Sequence, residues 1–310
     1  LGKNCQWGGD TSRRVFVVRF IFLVVISGFL ASCATFDAGS TPVAILVSDR
    51  LAAYQQVADA LRARLPRARI YELDGDPRKA QAVMVKLRDE EAGAVIAVGS
   101  LATRIAIKAS GRPIVFCQDF NPEDIRAARV AVRGVRAMPA ALKQLQAWKT
   151  LDPRLKRVTM ISGAGMGEFA REAAAGARQL GIRLQHVEVQ SDRELLYAAK
   201  RTDADVQGVW FTPDNRVLST EVLREVLAYN VRQGKQTLVF SAQLLGLGAL
   251  LSVEGDPHDV AARVIEQLHP AGGAPVLAPL QRARASINIE VAKQLGLVVP
   301  PPMQAGTYVF

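Results

Sequence analysis

The stretch Ala94-Val-Ile-Ala-Val98-Gly99-Ser100-Leu-Ala-Thr103 decides the fold. Five apolar residues run without a polar interruption and then meet a glycine, a serine and a helical period. A strand with no polar face is covered on both sides, the condition of a strand inside a parallel sheet flanked by helices. The same grammar recurs nearby. Val43 to Val47 reads as a buried strand and Ala52 to Leu65 as its helix. Strands follow near Ala68 to Leu73 and Pro113 to Cys117, with helices around Pro77 to Glu90 and Ser100 to Ala109. Short β-branched runs alternating with helical periods predict an α/β chain.

The alternation restarts after Pro139. Pro139 to Thr150 reads as a helix, Arg157 to Ile161 as a strand, and Gly167 to Leu180 as a helix closed by Gly181, a residue type common just past helix ends. Strands at Arg183 to Val189, Gly208 to Thr212 and Gln236 to Phe240 complete a second set, with helices near Asp192 to Lys200 and Ser219 to Gln233. Each set has the size of one domain, which predicts two doubly wound parallel-sheet domains. Ala128 to Arg136 reads as an extended segment leaving the first. Ala249 to Val253 and Ser286 to Ile289 read as second and third crossings, giving a multi-crossing hinge. The expected boundaries are 42–133 plus about 249–285 for the first domain and 134–248 plus about 286–301 for the second, with 302–310 as a tail. Three crossings make a hinge suited to a cleft that closes.

Ahead of this body, Arg13, Arg14 and Arg19 precede the apolar run Phe20 to Phe29. That run is shorter than the roughly 20 residues a spanning helix needs and has the basic flank of a signal-peptide core. It ends in Leu30-Ala31-Ser32-Cys33, which resembles a lipobox. Residues 1–32 are therefore expected to be a lipoprotein signal peptide, Cys33 the lipid-bearing residue and 33–41 a linker. Cys117 is then the lone thiol of the body, expected to be buried and structural, so no internal disulfide or thiol metal cluster is predicted. His186, His258 and His269 lack ligand spacing, and no metal site or cofactor is expected. The formal charge is +10 over 310 residues. Lys3, Arg13, Arg14 and Arg19 against Asp10 leave about +7 for the body, spread over helices without the aromatic-basic interleaving that stacks bases. Nucleic acid is not an expected partner.

Four features of the C-terminal third and two upstream carry a resemblance. Phe211-Thr-Pro-Asp-Asn-Arg-Val217 closes a strand. Phe240-Ser241, the glycine-rich Gly246-Leu-Gly248 and Ser286-Ile-Asn-Ile-Glu-Val-Ala-Lys-Gln-Leu-Gly-Leu-Val-Val-Pro300 follow in order. Upstream stand Val98-Gly-Ser-Leu-Ala-Thr103 and Leu151-Asp-Pro-Arg-Leu-Lys-Arg-Val158. That order, from about Thr41 to Pro301, is similar to the ABC-transporter substrate-binding family that includes tryptophan- and tyrosine-binding members, with the type I periplasmic-binding fold. The resemblance implies a monomer in the periplasm or at the cell surface, anchored to a membrane by its lipid. It would capture a small solute between two domains and pass it to an ABC permease, with no catalysis. The chain departs from the family at Gly165-Met166-Gly167-Glu168, where Asn-Ser is frequent, so the ligand class can differ. The alternative reading is an outer-membrane lipoprotein that reuses the fold to regulate a cell-envelope enzyme without binding solute; Ala34 after Cys33 fits it.

Ligands of open α/β sheets sit beyond the carboxyl ends of the strands. Ser48, Asp49, Gly99, Ser100, Ala102, Thr103, Asp119, Asp214, Asn215 and Ser241 fall at such ends, and Tyr54 and Phe120 can cover a ring or an aliphatic chain. Gly99-Ser100 opens a helix whose free N–H groups favour a carboxylate, although Ser100 is equally a plain helix cap. Asp214 can pair an ammonium group and Asn215 can donate and accept, although both also suit turn chemistry. A small amino-acid-like zwitterion fits these poles. Ser162-Gly-Ala-Gly-Met-Gly167 joins a strand to a helix, but its spacing is not that of a dinucleotide loop. No Gly-x-Ser-x-Gly elbow is present, and no enzymatic activity is expected.

Overall fold

Val43, Ile45 and Val47 face one apolar cluster and Ala44 and Leu46 another, and all five are buried. Alternate side chains of a strand point to opposite faces, so a strand feeding two cores lies between two helical layers. The structure is a computed structural model. It describes residues 42–89, 92–109, 111–120, 132–214, 218–272, 274 and 276–310, all within one compact unit, Phe36–Phe310. The expected signal peptide, Cys33, the linker over 33–41 and Asn215 lie outside the described residues.

In chain order the first lobe contains β1 (Val43–Val47), α1 (Ala52–Arg64), β2 (Arg69–Glu72), α2 (Pro77–Asp89), β3 (Ala94–Val98), α3 (Ser100–Ala109), β4 (Ile114–Cys117) and β5 (Val132–Val135). The second contains α4 (Ala141–Leu151), β6 (Arg157–Ser162), α5 (Gly167–Gln179), β7 (Arg183–Glu188), α6 (Asp192–Lys200), β8 (Gly208–Phe211), α7 (Thr220–Arg232), β9 (Gln236–Val239) and β10 (Leu251–Gly255). The chain then gives α8 (Pro257–Leu268) and β11 (Leu277–Ala278) to the first lobe. It returns to the second with β12 (Ala283–Ile287), α9 (Ile289–Gln294) and β13 (Thr307–Val309). The first sheet has the order β11-β5-β4-β3-β1-β2 and is parallel throughout. The second has the order β13-β12-β10-β9-β8-β6-β7, parallel from β10 to β7, with β12 and β13 added antiparallel at one edge.

Local chemistry sets the helix starts. Ser191, Ser219, Asp256 and Asn288 each accept the N–H of the residue three ahead, and Pro257 occupies the first turn of α8. Such caps satisfy donors that a helix leaves open, each worth about 1 kcal/mol. In the second lobe Trp148 is buried, and its indole donates to Gln236 Oε1 at 2.6 Å. Gln236 in turn donates to Asp152 at 2.6 Å, so both ends of the Gln236 amide are paired.

The return to the first lobe comes later than Ala249. Leu251–Gly255 is not a crossing but a strand of the second sheet, hydrogen-bonded between β9 and β12. The chain leaves only after Gly255, and α8 then lays Val260, Ala261 and Val264 into the cluster that holds Val43, Ile45 and Leu61. Ser286–Ile289 likewise begins inside β12, so the third crossing precedes Ala283. Strand β5 keeps the first lobe through Val135 rather than 133. Strand pairing thus gives β1–β5 and β11 to the first lobe and β6–β10, β12 and β13 to the second. The expected tail is partly β13: Thr307, Tyr308 and Val309 pair with β12, and Tyr308 stacks on Phe310 with centroids 5.5 Å apart. An extended apolar segment at the edge of a sheet pairs, because its backbone groups otherwise stay unsatisfied.

Two carboxylates fasten the crossings. Asp259 of α8 accepts the backbone N–H groups of Gln281 and Arg282 at 2.7 and 3.0 Å. Its own N–H goes to the capping Asp256, so the outgoing and returning chains are tied at one point. Glu172 of α5 accepts Ala141 N–H at 2.7 Å and Arg136 Nη1 at 3.0 Å, holding the first crossing. Asp259 is 6% exposed. Removing an acceptor from buried donors costs about 1–3 kcal/mol per group. Asp259→Ala is therefore expected to lower unfolding free energy by about 2–4 kcal/mol in urea denaturation, with Asp259→Asn between it and the parent.

Candidate functional site

The carboxyl ends of both sheets turn toward a cleft whose floor is the first crossing, Ala137-Met138. Two recesses meet there. One is bounded by Tyr54, Gln118 and Phe120 from the first lobe and by Phe240, Ser241 and Arg284 from the second. The other is bounded by Asp119, Phe120 and Arg136 on one side and by Met166, Glu168 and Phe169 on the other. Their volumes are about 80 and 180 Å³, below the roughly 300–1,000 Å³ of a typical small-molecule site. Phe120 lines both, and its ring meets Phe240 edge to face with centroids 6.3 Å apart. Arg284 of β12 reaches Gln56 of α1 at 2.9 Å and Glu254 of β10 at 3.1 Å, a polar bridge between the lobes beside the first recess.

The first-lobe wall is built from the residues singled out in the sequence, but most of them are spent on each other. Gly99 has φ +88°, and a Cβ there would lie 2.6 Å from Ser48 Oγ and 2.9 Å from Tyr54. Only glycine fits such a backbone without strain. Ser48 is buried and accepts the Ala102 N–H at 2.9 Å. Thr103 is fully buried and donates back to Gly99 O at 3.0 Å. Ser48, Ala102 and Thr103 therefore hold the β3–α3 turn. Ser100 donates to Asp119 Oδ1 at 2.7 Å, which places the protein's own carboxylate at the start of α3. That is where a ligand carboxylate was expected, so this pole is negative. Asp49 accepts the Arg50 N–H at 2.6 Å on the same rim.

On the second lobe, Asp214 is 3% exposed at the end of β8, and any side chain at Gly163 would overlap its carboxylate. Asp214 borders neither recess, nor does Ser100. Ser241 does, while its Oγ also accepts Gln243 N–H at 3.4 Å to cap a short 3-10 turn, Ala242–Leu247. The cleft brings in residues with no signal in a linear reading: Arg136, Met138, Glu254, Arg284 and Gln118, the last with φ +55°. A non-glycine residue there stores local strain. Phe120 and Phe240 stood out in the sequence, and the structure pairs them.

Cys117 is buried, and burial together with Asp119 pushes its thiol up, out of reach of reaction. Burial, with help from Asp119, Asp49 and Cys117, pushes the Tyr54 phenol up to about 12. The folded state thus favours neutral Tyr54. Its contribution to stability is complete below the ordinary value of 10.0 and is lost as pH rises through about 12. The stability of the parent is expected to fall across that window, and Tyr54→Phe to flatten the fall, as read by denaturation at stepped alkaline pH.

The chain belongs to the family described as ABC transporter substrate binding protein, which matches residues 50–301. Its lobes have the type I periplasmic-binding fold. Solved structures agree at the level of fold. An ABC domain in complex with L-Trp from Streptococcus pneumonia shares 18% identity at a TM-score of 0.60, covering 86% of this chain and 98% of its own. A ligand-free, open substrate binding protein with adhesive properties from Clostridium difficile shares 13% at 0.64, covering 84% and 96%. A conserved domain protein from Vibrio cholerae shares 16% at 0.60, covering 86% and 98%. A search of curated proteins found no match. Substrate-binding proteins work outside the cytoplasm as a class. Among the described residues no helix is long and apolar enough to cross a membrane.

Proposed function

We propose that the chain captures a small amino-acid-like zwitterion in the cleft, closes over it, and delivers it to the permease of an ABC importer. A lipid on Cys33 would hold the protein, as a monomer, at a membrane facing the periplasm or the cell surface. The observation that carries the solute class is the second recess. Asp119 and Arg136 offer opposite charges there, 6% and partly exposed respectively, among Phe120, Met138, Met166 and Phe169. An ammonium group would face Asp119 and a carboxylate Arg136, with an apolar side chain against the rings. A ligand of that size requires Phe120 and Phe240 to part, which is the opening of the two lobes. The small volumes of the recesses describe the cleft with those rings together.

A panel of free amino acids in a thermal-shift assay tests the class. A binder at a hundredfold excess over its dissociation constant adds about 2.7 kcal/mol of stability. Truncating one member of a buried charge pair costs about 2–5 kcal/mol. Asp119→Ala is therefore expected to weaken the best binder at least about thirtyfold in calorimetry. Wild-type affinity in Asp119→Ala, with loss in Asp214→Ala, would move the ammonium pole to the second lobe. No response to any amino acid removes the class altogether. The anchor has its own test: fatty-acid labelling in cells should mark the parent and leave Cys33→Ala unmarked.

A further inference from the structure

The end of the second lobe opposite the cleft carries a basic recess that solute capture does not use. Strands β6, β7 and β8 are mutually parallel. Their carboxyl ends supply the cleft, so their amino ends lie at the far side of the sheet. Around those amino ends Lys156, Arg157, Arg178, Arg183 and Asp205 border one open recess. Four cations face one carboxylate. Asp205 is committed to Arg157. Lys156, Arg178 and Arg183 are exposed, and none has a side-chain hydrogen bond or ion pair among the described residues.

The backbone beneath them is fixed rather than loose. Gln207 Oε1 accepts the N–H groups of Lys156 and Arg157 at 2.7 and 3.2 Å, and its Nε2 donates to Arg154 O at 3.2 Å. Arg183 N–H donates to Lys156 O at 2.7 Å, locking β7 to β6 where the two cations start. Arg178 stands in the last turn of α5, where the helix dipole favours a cation. The N–H groups of Leu180, Gly181 and Ile182 are used within that turn. The donors this recess leaves open are therefore side chains, from β6, β7 and α5 and their flanks.

We propose that this recess binds a phosphate group, presented by a membrane lipid or free in solution. Guanidinium forks match phosphate oxygens in pairs, and three uncommitted cations suit a tetrahedral anion with several charged oxygens better than a single planar carboxylate. Crowding like charges around one opening is repulsive without such a guest.

The full chain is tested as the parent, as Lys156→Gln/Arg178→Gln/Arg183→Gln and as Asp205→Asn. The probes are vesicles of phosphatidylcholine alone, vesicles of phosphatidylcholine mixed with phosphatidylglycerol, and inorganic phosphate followed by calorimetry. Neutral vesicles give the baseline for any attachment through the N-terminal region. Preference for the phosphatidylglycerol vesicles, falling more than about tenfold in the triple variant and weakening with salt, supports the proposal with lipid as the source. Phosphate binding in calorimetry, lost in the triple variant, supports it with free phosphate as the source. Asp205→Asn frees Arg157 and is expected to tighten whichever probe binds by severalfold. Absence of both responses in the parent overturns the proposal. So does a triple variant that matches the parent, or an Asp205→Asn protein that binds more weakly.

Discussion

The two lobes stay one unit because Asp259 ties the chain where it enters the first lobe to the chain where it leaves. One buried carboxylate meets the N–H groups of Gln281 and Arg282 while its own backbone is held by Asp256. Two of the three crossings are thus joined as one strap. The third is held separately, by Glu172 on Arg136 and Ala141. The two fastenings, one at Asp259 and one at Glu172, stand where the chain passes between the lobes. The first crossing borders the cleft, since Ala137-Met138, the cleft's floor, belongs to it.

Within the cleft, polarity follows from the turn after β3. Glycine at 99 lets Ser48 and Tyr54 approach, Ser48 caps the chain at Ala102, and Ser100 is left to orient Asp119. The result is a wall that sets the carboxylate of Asp119 into apolar and aromatic surface, with Arg136 bordering the same recess. The neutral phenol of Tyr54 adds bulk and a polar tip without charge. This wall supplies orientation and burial, which are the demands of binding.

Most of the fold was legible in the sequence because uninterrupted strands such as Ala94–Val98 and capped helices such as α7 announce themselves by composition and period. The C-terminal third was harder. Leu251–Gly255 and Ala283–Ile287 are short and mix apolar with polar residues, and nothing in their order distinguishes a strand of the second sheet from a connection; only their pairing does. The site divides in the same way. Ser48, Gly99, Ser100 and Asp119 were singled out because strand ends are readable, but of these only Asp119 borders a recess, and that Ser48 and Thr103 turn inward depends on tertiary contacts. Arg284 and Glu254 lie just outside the segments read as crossings, and their bridge to Gln56 joins positions far apart in the chain. The basic recess gathers positions 156, 157, 178, 183 and 205, whose charge along the chain looks evenly spread.

The indoles of Trp148 and Trp210 are both fully buried in the second lobe, and the first lobe has none among the described residues. Trp148 lies under the sheet on Gln236, and Trp210 stands in β8 against the edge of Phe169, whose ring borders the cleft. In a chain without residues 1–32, which hold Trp7, their ultraviolet emission is therefore a report on one lobe only. Backbone dichroism, by contrast, averages over both. The difference between the two signals is a built-in optical gauge of how tightly the strap at Asp259 makes the halves of the molecule melt together.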